Sequence, residues 1–416
     1  MTAHILLLIL ISIVVFGFLF DQWLDYLNTT TWNNALPESL KGLYDEETYR
    51  KQQDYQKVNR RISLITDCLS FVLILMMLTF GGFAWLDKLV SLYTTSPVWQ
   101  ALLFFGSIAL FADLLNTPFD LYDTFVIEER FGFNTTTLKT YIFDKFKGWL
   151  LALLVGGGFL AIIVLIYEKA GSWFWILAWL VVTFFTLFVG YFYTTLLVPL
   201  FNKLSPLPDG ELRNAIEKVA LSAEFSLRNI FIMDGSKRST KGNAYFSGFG
   251  RKKSIVIFDT LMNEYTSDEL ASVLAHEIGH YKKKHVLKGI FISIIQTGVL
   301  LFILSLLLKN PLLAGAMGDS VPSFHLGLVA FGLLYTPVSM LLGIGLNWLS
   351  RKHEFEADHF AAELTRPDIL QLALKKLSVK NLSNLTPHPW YVFVNYSHPS
   401  LLQRLEALDT MNTHTD

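Results

Sequence analysis

Stretches about as long as a membrane crossing and almost wholly apolar recur along this chain, and that recurrence limits its possible folds more than any other feature. A hydrocarbon core takes about 20 residues of helix, and seven such runs occur, at residues 5–20, 64–86, 98–115, 149–166, 173–200, 286–308 and 326–348. Only 17% of the 416 residues are charged, against roughly 25% in soluble proteins. The first run lacks a basic amino-terminal flank and a small-residue cleavage site, so it reads as an anchor, not a signal peptide. The net charge of −1 argues against nucleic acid as a partner. The single cysteine, Cys68, falls inside the second run, where no disulfide can form within one chain.

Basic residues in the connections alternate. Lys41, Arg50, Lys51, Lys57, Arg60 and Arg61 precede the second run, and Lys88 stands alone after it. Arg130, Lys139 and Lys145 precede the fourth, Lys169 alone the fifth, and Lys309 alone separates the sixth from the seventh. Positive residues concentrate on the cytoplasmic side of membrane proteins, so the amino terminus is expected outside or in a lumen. The polar loop, residues 201–285, and the tail, residues 349–416, then share the cytosol. Lys282, Lys283 and Lys284 sit where a helix enters the sixth run, and orienting that span accounts for them. The expected organisation is mainly α: spans one to five in residues 1–200, the loop, spans six and seven in residues 286–348, and the tail, all one unit. The closing MNTHTD carries no dilysine retrieval signal, which favours a bacterial inner membrane over the endoplasmic reticulum.

The loop has structure of its own. DGELRNAIEKVALSA, residues 209–223, reads as an amphipathic helix with Asp209 as its cap and Glu211 near its positive end. Residues 243–246 and 254–258 are β-prone and flank a Gly-rich turn, which signals a hairpin. TSDELASVLAHEIGHYKKK follows, with Thr266 or Ser267 as cap and Glu269 in the first turn of a helix.

Within that helix His276 and His280 are four residues apart, so both project from one face and suit two bonds to one metal ion. Glu277 is turned about the axis, where its carboxylate reaches a water at the site without joining the ion itself. His285 is rotated away from both and is not counted as a ligand. Catalytic zinc takes three protein ligands and leaves a fourth position open. With Cys68 in a distant span, the third is His or carboxylate. LSRKHEFEADHFAAEL, residues 349–364, continues the seventh run and offers His353, Glu354, Glu356, Asp358 and His359. Glu354 and Asp358 share a face while Glu356 points away. If Glu354 takes the ion, Asp358 is placed to accept the outer N–H of a ligand histidine and fix its tautomer. Asp67 and Asp113 fall in or near spans, where carboxylates are costly and either face water or pair near a helix end.

HEIGH followed by SRKHEFEAD resembles the CAAX prenyl protease type 1 family of seven-span zinc metallopeptidases. TPFDLYDTFVIEERFGFN, VPLFNKLSPLPDGEL, NAYFSGFGRKKSIVIFDTLM and NYSHPSLLQRLEAL resemble that family's segments in the same order, essentially along the full chain. The resemblance implies spans around a water-containing chamber, zinc on His276, His280 and Glu354, and Glu277 as general base. It makes Asp358 a proton donor or a partner of a ligand, and the spacing favours the partner. Asn243 and Ala244, with Tyr245 beside them, match an edge strand that pairs with the substrate backbone. His398 and Arg404 match a pair that holds substrate carbonyls and stabilises the developing oxyanion. The implied substrate is a prenylated carboxyl-terminal peptide, held in the lipid bilayer by its greasy end. A quality-control membrane metalloprotease shares the zinc motif. A scaffold or transporter with structural zinc would fill four protein positions, and here three ligands stand beside a separate Glu277.

Overall fold

The computed structural model describes residues 2–32, 36, 41, 45–225, 229–248, 253–319 and 321–412. The Gly-rich turn at residues 249–252 and the closing residues 413–416 lie outside them. Helices dominate. The amino-terminal half contains α1 (Ala3–Thr30), α2 (Glu46–Thr79), α3 (Gly82–Ser91) and α4 (Pro97–Tyr122). A π-helical turn at Asp123–Glu128 carries α4 into α5 (Glu129–Phe131). After α6 (Leu138–Leu151), a second π turn at Ala152–Gly157 leads into α7 (Gly158–Ala170). α8 (Phe174–Phe192) runs through a third, at Tyr193–Leu197, into α9 (Val198–Phe201).

Among the described residues six continuous helical stretches are long and apolar enough to cross a membrane. One, Leu138–Phe201, has 64 residues, which at 1.5 Å per residue is about 96 Å and far exceeds one bilayer. Gly171, at φ 54° and ψ −122°, breaks it. Two of the seven expected runs therefore lie on this stretch, on either side of the glycine. The second run is shorter as a helix than its apolar length suggested. α2 ends at Thr79, Gly81 turns the chain at φ 67°, and α3 buries Phe83, Leu86 and Val90 against Leu10, Phe104, Leu313 and Leu326. Hydropathy alone does not register such a turn, because its residues are as apolar as the span itself.

Asp67 and Asp113 both have partners. Asp67 lies 3.9 Å from Arg60 and accepts from Gln22 at 3.4 Å. Asp113 lies 3.1 Å from Lys145 and accepts from the Trp149 indole at 3.1 Å. Asp67 thus pairs with a basic and an amide group, and Asp113 with a basic group and an indole N–H.

The polar portion is built on a four-stranded sheet, β1 (Leu204–Pro206), β2 (Asn229–Met233), β3 (Ala244–Ser247) and β4 (Ser254–Phe258), in the order β1-β2-β4-β3. The expected hairpin is present, with Ala244 opposite Ile257 and Tyr245 opposite Val256. β4 also pairs in parallel with β2, which pairs with β1. Fully buried Ile255, Val256 and Ile257 mark β4 as interior, and β3 forms an edge. α10 (Glu211–Ser222) starts after Gly210 without a side-chain cap. Asp209, expected to cap it, instead lies 3.5 Å from Arg213.

α11 (Ser267–Lys282) carries HEIGH. Thr266 and Glu269 close a capping box at its start, and Lys376 holds the buried Glu269 carboxylate at 2.6 Å. After a tight turn comes α12 (His285–Leu307), followed by the short α13 (Pro311–Ala316). α14 (Phe324–Leu364) is 41 residues long and joins the last apolar run to the polar residues that follow it. One unbroken rod, about 61 Å at the helical rise, therefore fixes the height of Glu354 relative to the apolar helices. α15 (Pro367–Lys380), α16 (Pro389–Asn395) and α17 (Leu401–Asn412) complete the portion. Ala275, Ile278, Ala361, Leu370 and Leu405 form the core that locks α11, α14, α15 and α17 together.

Candidate active site

Gly279 sets the spacing of the site. A Cβ there would stand 3.2 Å from the Cα and carbonyl oxygen of Ala357 and 3.1 Å from the Phe360 ring. α11 and α14 approach this closely because position 279 has no side chain. The contact lies between the residues that matter: Gly279 directly precedes His280, and Ala357 separates Glu354 from Asp358.

The approach brings three ligand atoms together, one each from His276, His280 and Glu354, all within 4.8 Å of one another. The two Nε2 atoms are 3.1 Å apart, and the Glu354 oxygens lie 3.4 Å from His276 Nε2 and 3.2 Å from His280 Nε2. A tetrahedral ion with bonds of about 2.05 Å would separate its ligands by about 3.3 Å, close to what is seen. The outer nitrogen of His276, Nδ1, donates to Asp358 Oδ1 at 2.8 Å, which in the neutral ring leaves the lone pair on Nε2 facing inwards. Glu354 Oε2 is buried and finds no hydrogen-bond donor among the described residues. Burial opposes a positive charge on His276, yet in the metal-free site the carboxylates of Asp358 and Glu354 on either side of the ring outweigh it and push its pKa up to about 9. These donors are arranged to favour a cation between them, and they fit a divalent metal.

The other expected residues surround this group unevenly. Asp358 takes two bonds from Arg404, at 2.6 and 2.8 Å, and Arg404 also reaches within 3.9 Å of Glu354. His398 Nε2 lies 3.3 Å from Glu354 Oε1 on a side chain that is 63% exposed. Glu277 Oε2 accepts from the Phe246 amide at 3.4 Å, so the edge strand holds this carboxylate. Glu277, Asn243, Ala244, His398 and Arg404 line one cavity of about 290 Å³ with the ligand set, and Leu270, Val273, Leu370, Leu374 and Leu377 make part of it apolar. A neighbouring space of about 540 Å³ shares His398 and Arg404 and is otherwise largely polar, with Gln56, Asn384 and Asn395 on its wall. The Tyr245 side chain does not line the cavity. It packs on the opposite face of the sheet with Val256 and Phe258, as the alternation of a strand requires.

His285 is not turned away. A continuous helix would have carried it round, but α11 ends at Lys282, and Lys284 adopts the left-handed conformation at φ 60°. The reversal brings His285 Nδ1 to 3.0 Å from His280 Nδ1, with His285 Nε2 2.9 Å from Glu356 Oε2. Sequence reasoning missed this pair because a lysine gives no warning of a left-handed turn. It also missed the Glu277 bond to Phe246, since an edge amide leaves no mark in a residue pattern.

Helices of membrane length, an acidic residue beside a three-ligand group and a strand edge that pairs with no other strand among the described residues together define a membrane-embedded metallopeptidase. Residues 25–203 match the family model described as CAAX prenyl protease N-terminal, five membrane helices, and residues 206–412 match Peptidase family M48. The chain is 34% identical to the CAAX prenyl protease 1 homolog of Arabidopsis thaliana, covering 98% of each chain. It is 32% identical to CAAX prenyl protease 1 of Saccharomyces cerevisiae, over 97% of this chain and 95% of the yeast protein. The crystal structure of S. mikatae Ste24p superposes with a TM-score of 0.90 at 33% identity, covering 97% of this chain and 99% of that one. The chain belongs to the CAAX prenyl protease 1 family of M48 metallopeptidases, and it is a multi-pass membrane protein with a metal cofactor.

Proposed function

We propose that this protein is a zinc-dependent endopeptidase that removes the carboxyl-terminal tripeptide of prenylated CAAX substrates. The observation that carries the reading is the convergence of His276 and His280 of α11, with Glu277 beside them, on Glu354 of α14, a helix continuous with an apolar span. Zinc at this group would supply a Lewis acid for the scissile carbonyl and for water. His276, His280 and Glu354 would hold it, and Asp358 fixes the His276 tautomer.

Glu277 takes a proton from water as the water oxygen bonds to the scissile carbon. It then delivers that proton to the amide nitrogen as the C–N bond breaks, leaving a carboxylate and an amine. No covalent enzyme intermediate is required. Arg404 and His398 face the developing negative charge on the carbonyl oxygen. In the β3–β4 ladder Phe258 N–H donates to the Asn243 carbonyl at 3.0 Å. By antiparallel alternation the backbone groups of Ala244 and Phe246 therefore point to the free edge. The Phe246 amide goes to Glu277, so Ala244 is the residue that pairs with an extended substrate. The leucines of the cavity suit the aliphatic positions that follow the cysteine in a C-a-a-X sequence. The prenyl chain lies among the apolar helices. With the basic connections on the cytosolic side, the site faces the cytosol and the amino terminus lies outside or in a lumen.

Purified protein loaded with Zn²⁺ is expected to release a tripeptide from a farnesylated reporter, as read by mass spectrometry, and not from the same peptide without the lipid. Glu277→Gln should retain zinc and lose cleavage. Turnover by that variant at the normal rate would refute the assigned base, and equal cleavage of both peptides would point to general proteolysis.

A further inference from the structure

The two histidines of the site are oriented by different means. His276 donates from Nδ1 directly to a carboxylate, Asp358. Among the described residues the outer nitrogen of His280 meets no carboxylate but a third histidine, at 3.0 Å. We infer that His285 is a positioning residue for His280, anchored in turn by Glu356. The inference rests on the proposed metal reading of His276, His280 and Glu354.

The direction of the hydrogen bonds follows from the end of the chain. An ionised carboxylate only accepts, so His285 Nε2, 2.9 Å from Glu356 Oε2, carries a proton. In a neutral imidazole the other nitrogen, Nδ1, is then bare and accepts. Facing it at 3.0 Å, His280 Nδ1 must be the donor. The remaining nitrogen of His280, Nε2, is left with a lone pair directed at Glu354 and His276. Glu356 thus selects the tautomer of His280 through His285, and two hydrogen bonds hold the plane of the ligand ring. Outer partners of this kind are worth about 10–100-fold in metal affinity.

Two further features hold the relay in place. The His353 ring, from α14, stacks on His285 at 3.9 Å between centroids and 10° between planes, which fixes the ring orientation. Lys284, at φ 60° and ψ 29°, supplies the reversal between α11 and α12. A non-glycine residue is strained there, and the reversal is what returns His285 to the back of His280. The His285 side chain is buried, while that of Glu356 is 34% exposed, so the relay runs from the site towards the surface.

Metal affinity tests the inference independently of peptide cleavage. Full-length protein in detergent, stripped of metal, would be titrated with Zn²⁺ against a chromophoric chelator, and with Co²⁺ to record the ligand-field spectrum. His285→Phe, which keeps a ring but cannot accept, is expected to bind Zn²⁺ about 10–100-fold more weakly and to alter the Co²⁺ spectrum. His285→Asn places an amide oxygen near the lost Nδ1 and should restore most of the affinity and the spectrum. Wild-type binding by His285→Phe, or equal loss in Phe and Asn, would overturn the inference, the latter outcome indicating packing alone. If His285→Phe does not fold, Glu356→Ala decides: a several-fold loss is expected, and wild-type affinity would refute the relay. His280→Ala separates the underlying reading, because undiminished Zn²⁺ binding there would remove His280 from the metal site altogether.

Discussion

Substituting Gly279 by alanine sets two effects of known size against each other. Alanine is favoured over glycine inside a helix by about 1 kcal/mol, so on propensity alone the variant would be more stable. The new methyl would stand 3.2 Å from the Ala357 backbone and 3.1 Å from the Phe360 ring, against the roughly 3.5–4.0 Å of a relaxed carbon contact. The backbone contact cannot yield by a rotamer change, so α11 and α14 must separate by a few tenths of an ångström. Overpacking of this kind costs about 1–3 kcal/mol. The expected net is a loss of up to about 2 kcal/mol. The separation also falls between the ligands, widening gaps that are now 3.2 and 3.4 Å. A loss of about tenfold in Zn²⁺ affinity would correspond to about 1.4 kcal/mol. The assay is thermal unfolding of the detergent-solubilised protein with and without Zn²⁺, beside chelator competition. A variant more stable by about 1 kcal/mol, with wild-type Zn²⁺ affinity, would refute the claim that this glycine sets the spacing of the site.

Two further substitutions have sizes fixed by the geometry. Asp358→Asn leaves the Arg404 guanidinium without the carboxylate it meets at 2.6 Å, and breaking a buried pair in this way costs about 3–5 kcal/mol. Thermal or denaturant unfolding of the metal-free protein should show that loss, and a change below about 1 kcal/mol would mean that solvent screens the pair. Lys284→Gly should raise stability by about 1 kcal/mol by relieving the left-handed backbone, with Lys284→Val lowering it. Equal unfolding midpoints for the two would show that the turn carries no strain.

How far the sequence could be read depended on the range of the interaction. The apolar runs and the start of α11 at Thr266 or Ser267 act within one helical segment, and both are legible. So is the hairpin of β3 and β4, whose partners are neighbours in the chain. β1 and β2 are not: β1 has three residues and ends in Pro206, and β2 pairs with a strand more than twenty residues away, so neither carries a local pattern. Periodicity places His276 and His280 on one face, but it cannot choose Glu354 over its acidic neighbours, and that choice came from the resemblance. The case of His285 shows why the limit is physical. On a helix extended from α11 through residues 282–285 its side chain points away from His280. One residue in the left-handed region undoes the extrapolation, and lysine is among the least informative residues about such a turn. Gly279 is the opposite case, because a glycine inside a strongly patterned helix marks a close approach, though only the packed structure says that the neighbour is the backbone of Ala357. The contact of His285 with His280 depends on where two helices turn and touch, so it is visible only with the fold, whereas the ligand histidines and the spacing of Asp358 from Glu354 are each legible within one turn of one helix.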